Sequence, residues 1–172
     1  MTDLFTFARL THEQIDQAWP IVQSSLTGTE IGRWREFAHS LIGAPEREAG
    51  IIAVQNGGYL HGLFSYAIAP HLTQGCVLSI DNVFVLDLFT PAIVADVLLD
   101  AVDGLARRYD CQAVHTTLPQ PPGGLQGRGH WLADRFRARG HSVTAKSVCE
   151  CLTTAEPGGA DVTHLSRERF RA

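Results

Sequence analysis

The stretch Cys76–Tyr109, CVLSIDNVFVLDLFTPAIVADVLLDAVDGLARRY, decides the fold. Its opening part, Cys76 to Leu86, alternates with a period of two, which is the pattern of a strand. Leu78, Ile80, Asn82, Phe84 and Leu86 fall on one face, and Val77, Ser79, Asp81, Val83 and Val85 on the other. Thr90 then stands as an N-cap, with Pro91 at the first helical position, where a missing N–H is tolerated. Ile93, Val94, Val97, Leu98, Ala101, Val102, Leu105 and Tyr109 recur at helical spacing and give a broad apolar face. Arg107 and Arg108 close the helix against the negative end of its dipole. Gln112 to Leu118 follows as another strand. A helix this long between two strands makes a crossover, so those strands run parallel.

Upstream, the chain predicts a first strand from Leu4 to Leu10. Thr11 and Gln14 have capping-box spacing, and the helix after them carries Ile15, Ala18, Trp19, Val22 and Leu26. Pro20 is expected to kink that helix. A second helix, with Ile31, Trp34, Phe37, Ala38 and Leu41 on one face, ends at Gly43 before Pro45. Ala49 to Val54 and Tyr59 to Ala69 read as strands joined by Asn56-Gly57-Gly58, residues that tolerate positive φ. With Cys76 to Leu86 they form an antiparallel meander. Downstream, Trp131, Leu132 and Phe136 lie on a short helix stopped by Gly140, and Ser142 to Leu152 reads as a sixth strand. Residues 1–154 therefore make one domain, and 155–172 a C-terminal tail. The fold class is α/β (α+β): a mixed sheet, antiparallel through its second, third and fourth strands, then a parallel crossover to the fifth, with helices on both faces.

With 172 residues, 45% hydrophobic and 19% charged, the chain is long enough for one real core. A net charge of −4 argues against a nucleic-acid partner. No apolar run is long enough to span a bilayer, and MTDLFTFARLT lacks the basic start and apolar core of a signal peptide, so a cytoplasmic protein is expected. Cys76, Cys111, Cys149 and Cys151 sit in strand-like runs with no CxxC pair. They read as small core hydrophobes, and no metal site is expected.

The element order resembles the GNAT superfamily of N-acetyltransferases. FARLTHEQIDQAWPIV is similar to the family's first strand and helix, and GIIAVQNGGYLHGLFSYAI to its hairpin of strands two and three. LSIDNVFVLDL is similar to the strand that leads to the cofactor loop, and RFRARGHSV to the helix that ends in Gly before the last strand. The resemblance implies acetyl-CoA, or another acyl-CoA, bound where the fourth and fifth strands splay apart. Its pyrophosphate would lie on the next helix N-terminus, in a loop patterned Arg/Gln-x-x-Gly-x-Gly/Ala. Free N–H groups and the helix dipole attract an anion there, and glycines let backbone come close. It also implies transfer of the acyl group to an amine of a small molecule or peptide, with a homodimer possible.

On that alignment the loop is LFTPAIVA, Leu88 to Ala95, and only Ala95 keeps the family's small residue. Thr90 replaces Arg or Gln, Pro91 lacks an N–H, and Ile93 stands where Gly is usual: the loop is degenerate. The tyrosine that often protonates the departing thiolate is replaced by Phe136. The CoA contacts implied are Phe84, Val85 and Leu86 on the strand, Thr90, Ala92 and Ala95 beyond it, and Arg128 from across the cleft. Arg128 belongs to the loop PQPPGGLQGRGHW, Pro119–Trp131, which follows the fifth strand and reads either as a replacement anion site or as a plain connection. For the base, His61 with Asp81 as its orienting carboxylate is the leading pair and His115 the third candidate. The alternative function is a binding module on the same fold that has lost transfer.

Overall fold

The computed structural model describes residues 5–118 and 129–141. The chain divides into two compact units, Met1–Ser142 and Val143–Ala172, and every described residue lies in the first. Strands β1 (Thr6–Arg9), β2 (Ala49–Asn56), β3 (Tyr59–His71), β4 (Gly75–Val85) and β5 (Ala113–Thr116) form one sheet in that spatial order. Pairing is antiparallel from β1 to β4 and parallel between β4 and β5. The helices are α1 (Trp19–Ser25), α2 (Ile31–Gly43), α3 (Pro91–Arg108) and α4 (Gly129–Ala138). The expected sixth strand, the tail, Cys149, Cys151 and most of the loop around Arg128 lie outside the described residues.

Two cores flank the sheet, as helices on both faces require. On one side Leu78, Ile80 and Val83 of β4 pack with Val94, Leu98 and Val102 of α3, and with Leu132 and Phe136 of α4. On the other side Ile51, Leu63 and Phe84 pack with Val22 of α1 and Trp34 and Ala38 of α2. α3 approaches β3 closely because position 62 is glycine. A Cβ there would stand 2.9 Å from Val94 Cγ1 and 3.0 Å from the Phe84 carbonyl oxygen.

Three local expectations are corrected. Pro20 does not kink a long helix. A 3-10 turn at His12–Gln14 and a run of turns come first, and α1 starts at Trp19, with Pro20 in its first turn, where no N–H acceptor is lost. Gln14 does act at the entry, its side-chain oxygen accepting the Thr11 N–H at 3.1 Å.

The second correction concerns the faces of β4. Leu63 pairs with Phe84 and Ser65 with Asp81, so Asn82 and Val83 together oppose Phe64. That is a β-bulge, and Asn82 carries its positive φ of 53°. The extra residue reverses the alternation. Phe84 leaves the face of Leu78 and Ile80 for the α1/α2 side, and Val83 and Val85 move to the α3 side. The third is a second bulge at His61, the extra residue between Leu60 (opposite Gln55) and Gly62 (opposite Val54). It separates His61 from the face of Leu63 and Ser65, and its ring packs edge-on against Phe5, 5.1 Å away, on the α3 side.

Candidate active site

β4 and β5 pair only from Val77/Ala113 to Ile80/Thr116, and a last bond runs from the Thr117 N–H to the Ile80 carbonyl at 2.8 Å. From Asp81 to Val85 that edge of β4 has no strand beside it among the described residues. Across β3, the Leu86 N–H donates to the His61 carbonyl at 2.8 Å. Val85 and Gly62 are thus a non-hydrogen-bonded pair of the ladder, and Val85's own N–H points out to the open edge. The alternation commits Phe84's N–H to Leu63. At the same parting the Thr116 hydroxyl is buried with no hydrogen-bond partner among the described residues.

The turn from β4 into α3 is organised by Asp87. One carboxylate oxygen accepts the Phe89 N–H at 2.9 Å and also the N–H of Thr90. The other accepts from His61 Nδ1 at 2.9 Å, and the Asp87 side chain is only 8% exposed. Burial alone would raise its pKa. The Thr90 and Phe89 N–H groups and the His61 ring outweigh that and hold the carboxyl below its ordinary value. The Ile93 and Val94 N–H groups both return to the Thr90 carbonyl, and Pro91 has none, so Ala92 offers the one N–H of this helix start with no acceptor among the described residues. Beside it an open hollow of about 530 Å³ separates α3 from α4, with Pro91 and Ala92 on one wall and Trp131 and Arg135 on the other. Arg135 is held by Asp96 at 2.6 Å.

On the α1/α2 face a cavity of about 280 Å³ reaches the bulge. Its walls are apolar: Val22, Leu26, Trp34, Phe37, Leu63 and Phe84. Trp34 is fixed by its indole N–H, which donates to the Ile15 carbonyl at 2.8 Å. Ser65 and Asn82 are the polar groups on the sheet side. The Asn82 amide donates to the Ser65 hydroxyl at 2.9 Å, and that hydroxyl donates to the Asp81 carbonyl at 3.0 Å. Thr29 and Arg33 are the polar groups on the helix side.

No protein-family model matches the chain, and no curated protein sequence matches it either. Solved structures do. An aminoglycoside N-acetyltransferase in complex with CoA superposes with a TM-score of 0.71 at 13% identity, over 88% of this chain and 96% of that one. A ribosomal-protein-alanine N-acetyltransferase from Brucella melitensis biovar Abortus 2308 gives 0.67 at 14% identity, over 87% and 100%. The glucosamine-6-phosphate N-acetyltransferase of Arabidopsis thaliana gives 0.64 at 12%, over 87% and 99%. The fold is that of the GNAT N-acetyltransferases.

On the GNAT fold the catalytic candidates can be sorted by face. His61 is bound to Asp87, not to Asp81, because the bulge in β3 carries it to the end of α3. Asp81 lies directly across from Ser65, and His115 across from Ser79, so both share the cavity's face of the sheet. His115 is exposed and meets His71 edge-on at 5.8 Å. No hydrogen bond or ion pair joins any two of His61, Asp81 and His115 among the described residues. Of the CoA candidates, Val85 on the open edge and Ala92 at the helix start each have an N–H with no acceptor among the described residues. Phe84 turns its side chain into the other cavity, Leu86 is exposed, and Ala95 is buried against the sheet. Thr90's N–H is taken by Asp87, and Arg128 is outside the described residues. Phe136 is buried, its ring edge-on to His141 at 5.1 Å.

Asp87, Arg33, Trp131 and the Asn82–Ser65 pair are not among the site residues expected from the sequence. The first had a signal: Asp three residues before an N-cap threonine, in a turn that must satisfy its own N–H groups. For a CoA, the Thr116 hydroxyl and the β4 edge, both without a partner among the described residues, fit a polar arm lying in the slot. The β4–α3 turn does not fit a pyrophosphate in the GNAT manner, since a carboxylate already takes two of its N–H groups.

Proposed function

We propose that this chain is an N-acyltransferase that moves an acyl group, acetyl in the first instance, from an acyl-CoA to an amine. The supporting observation is the Val85 N–H, fixed by the β3 ladder and pointing to an edge that β5 has left. When an amine attacks a thioester, charge grows on the carbonyl oxygen, and a preorganised donor aimed at it is worth about 3 kcal/mol. The acyl-CoA supplies the acyl group and carries away the thiol. The chain's own groups do the rest. Ala92's N–H and the face of Trp131 hold the nucleotide end, and the cavity holds the acceptor. The Asn82 amide orients the amine, and Asp81, beside Ser65 on the cavity's face, takes its proton through water. Phe136 has no proton to give, so the leaving thiolate of CoA takes its proton from solvent.

The test is calorimetry with acetyl-CoA together with CoA release over an amine panel, on the wild type and Asp81→Asn. Micromolar binding, and a kcat lowered about a hundredfold in the variant, are expected. Binding without turnover of any amine supports the second reading, a non-catalytic ligand-binding module. Silence at millimolar acetyl-CoA removes the transferase reading. The second reading rests on Asp87, which fills the anion site from within.

A further inference from the structure

The cavity on the α1/α2 face has a chemical asymmetry that narrows what it takes. At its floor lie Ser65, 4% exposed, and the partly covered Asn82. At its rim stand Arg33 and Phe37, both exposed, on α2. Between them the walls are hydrocarbon and aromatic. Arg33 is the one charged residue among those that line the cavity, and neither Asp nor Glu does. It makes no hydrogen bond or ion pair among the described residues, although Arg35, two residues on, is engaged by Asp16 at 2.8 Å. A guanidinium left unpaired at the rim of an apolar cavity in a chain of net charge −4 is a receptor for a carboxylate or phosphate oxygen pair.

We propose that the acceptor is a monoamine with an apolar, preferably aromatic, body and an anionic group at the end remote from the amine. The amine sits at Asn82 and Ser65, the body against Trp34 and Phe84, and the anion on Arg33. Polycationic acceptors are disfavoured, because they would bring several charges into hydrocarbon walls with no carboxylate to meet them. This inference rests on the transferase reading for the amine's fate, but not for its binding.

The experiment therefore measures acceptor binding without CoA. By calorimetry, 4-(aminomethyl)benzoate is compared with benzylamine and spermidine on the wild type, Arg33→Gln and Arg35→Gln. The benzoate is expected to bind at least tenfold more tightly than benzylamine to the wild type and to Arg35→Gln. In Arg33→Gln that advantage should vanish while benzylamine is unchanged. Equal or better binding of benzylamine or spermidine, an advantage that survives Arg33→Gln, or no binding of the benzoate would each overturn the proposal. The acetyl-CoA titration reports separately on the transferase reading. Both side chains are exposed, and a circular dichroism melt checks that each variant folds.

Discussion

At the residue scale, single side chains here settle backbone groups that regular structure leaves open. Asp87 satisfies the turn into α3 and holds His61, so its ionised form is favoured in the folded chain. A lowered folded pKa contributes stability that is complete above the ordinary carboxyl value of 3.8 and is lost as pH falls through the folded one. Melting followed between pH 6 and about 3 should show Asp87→Asn losing less stability in the acid range than the wild type. The same variant removes a charge from the helix start, and acetyl-CoA should bind it several-fold more tightly at low salt. Unchanged affinity would mean that the pyrophosphate never meets this turn. Arg9 has a comparable structural task. One guanidinium nitrogen reaches the carbonyls of Leu41, Ile42, Ala44 and Ala49, the shortest at 2.7 Å, tying β1 to the end of α2. Arg9→Met should cost about 2 kcal/mol in urea denaturation, because partly buried carbonyls lose a charged donor.

At the element scale, β4 carries the site, and its bulge makes one strand serve two faces. Before Asn82, Leu78 and Ile80 support α3. After it, Phe84 lines the cavity under α1 and α2, while Val85 keeps an N–H on the edge with no partner strand among the described residues. The bulge needs a residue that accepts a φ of 53°, and Asn does so more readily than a β-branched side chain. Asn82→Val should therefore cost about 1–2 kcal/mol and weaken transfer. Asn82→Gly should keep the stability within about 1 kcal/mol and still weaken transfer, because the bond to Ser65 is gone. Equal activity in both variants would separate the bulge from function. The alternation of residues 76–86 could not reveal this, since a period-two pattern reads the same with or without one extra residue until pairing partners are known.

At the scale of the whole molecule, the sheet separates a hollow between α3 and α4 from a cavity under α1 and α2. No helix among the described residues is long and apolar enough to cross a membrane. No group of three metal-ligating side chains is assembled there either. Apolar side chains crowd the turn from β4 into α3: Leu88 and Phe89 are 85% and 92% exposed, and Ile93 is 50% exposed. A CoA laid along β4 toward α4 would cover them and reach Trp131. Acetyl-CoA should accordingly quench part of the tryptophan fluorescence, and Trp131→Phe should abolish that quench, since the other two tryptophans, Trp19 and Trp34, pack in the core on the far face of the sheet. Quenching that persists in the variant would place the nucleotide elsewhere.

Element order, the antiparallel meander, the parallel crossover and the two helix-covered faces were legible in the sequence. They follow from hydrophobic period, caps and breakers, all of them local. That Leu88 to Ala95 holds no glycine, and that position 136 is a phenylalanine, was legible too, since these are matters of residue identity. Tertiary structure alone decided that His61 turns to Asp87, that Phe84 and Val85 change sides, and that Arg33 stands over an apolar cavity with no ion pair among the described residues. Each of those depends on which residue lies opposite which across a ladder, or on which helix covers which face. Long-range pairing sets such neighbours, and it leaves no trace in the spacing of a single strand.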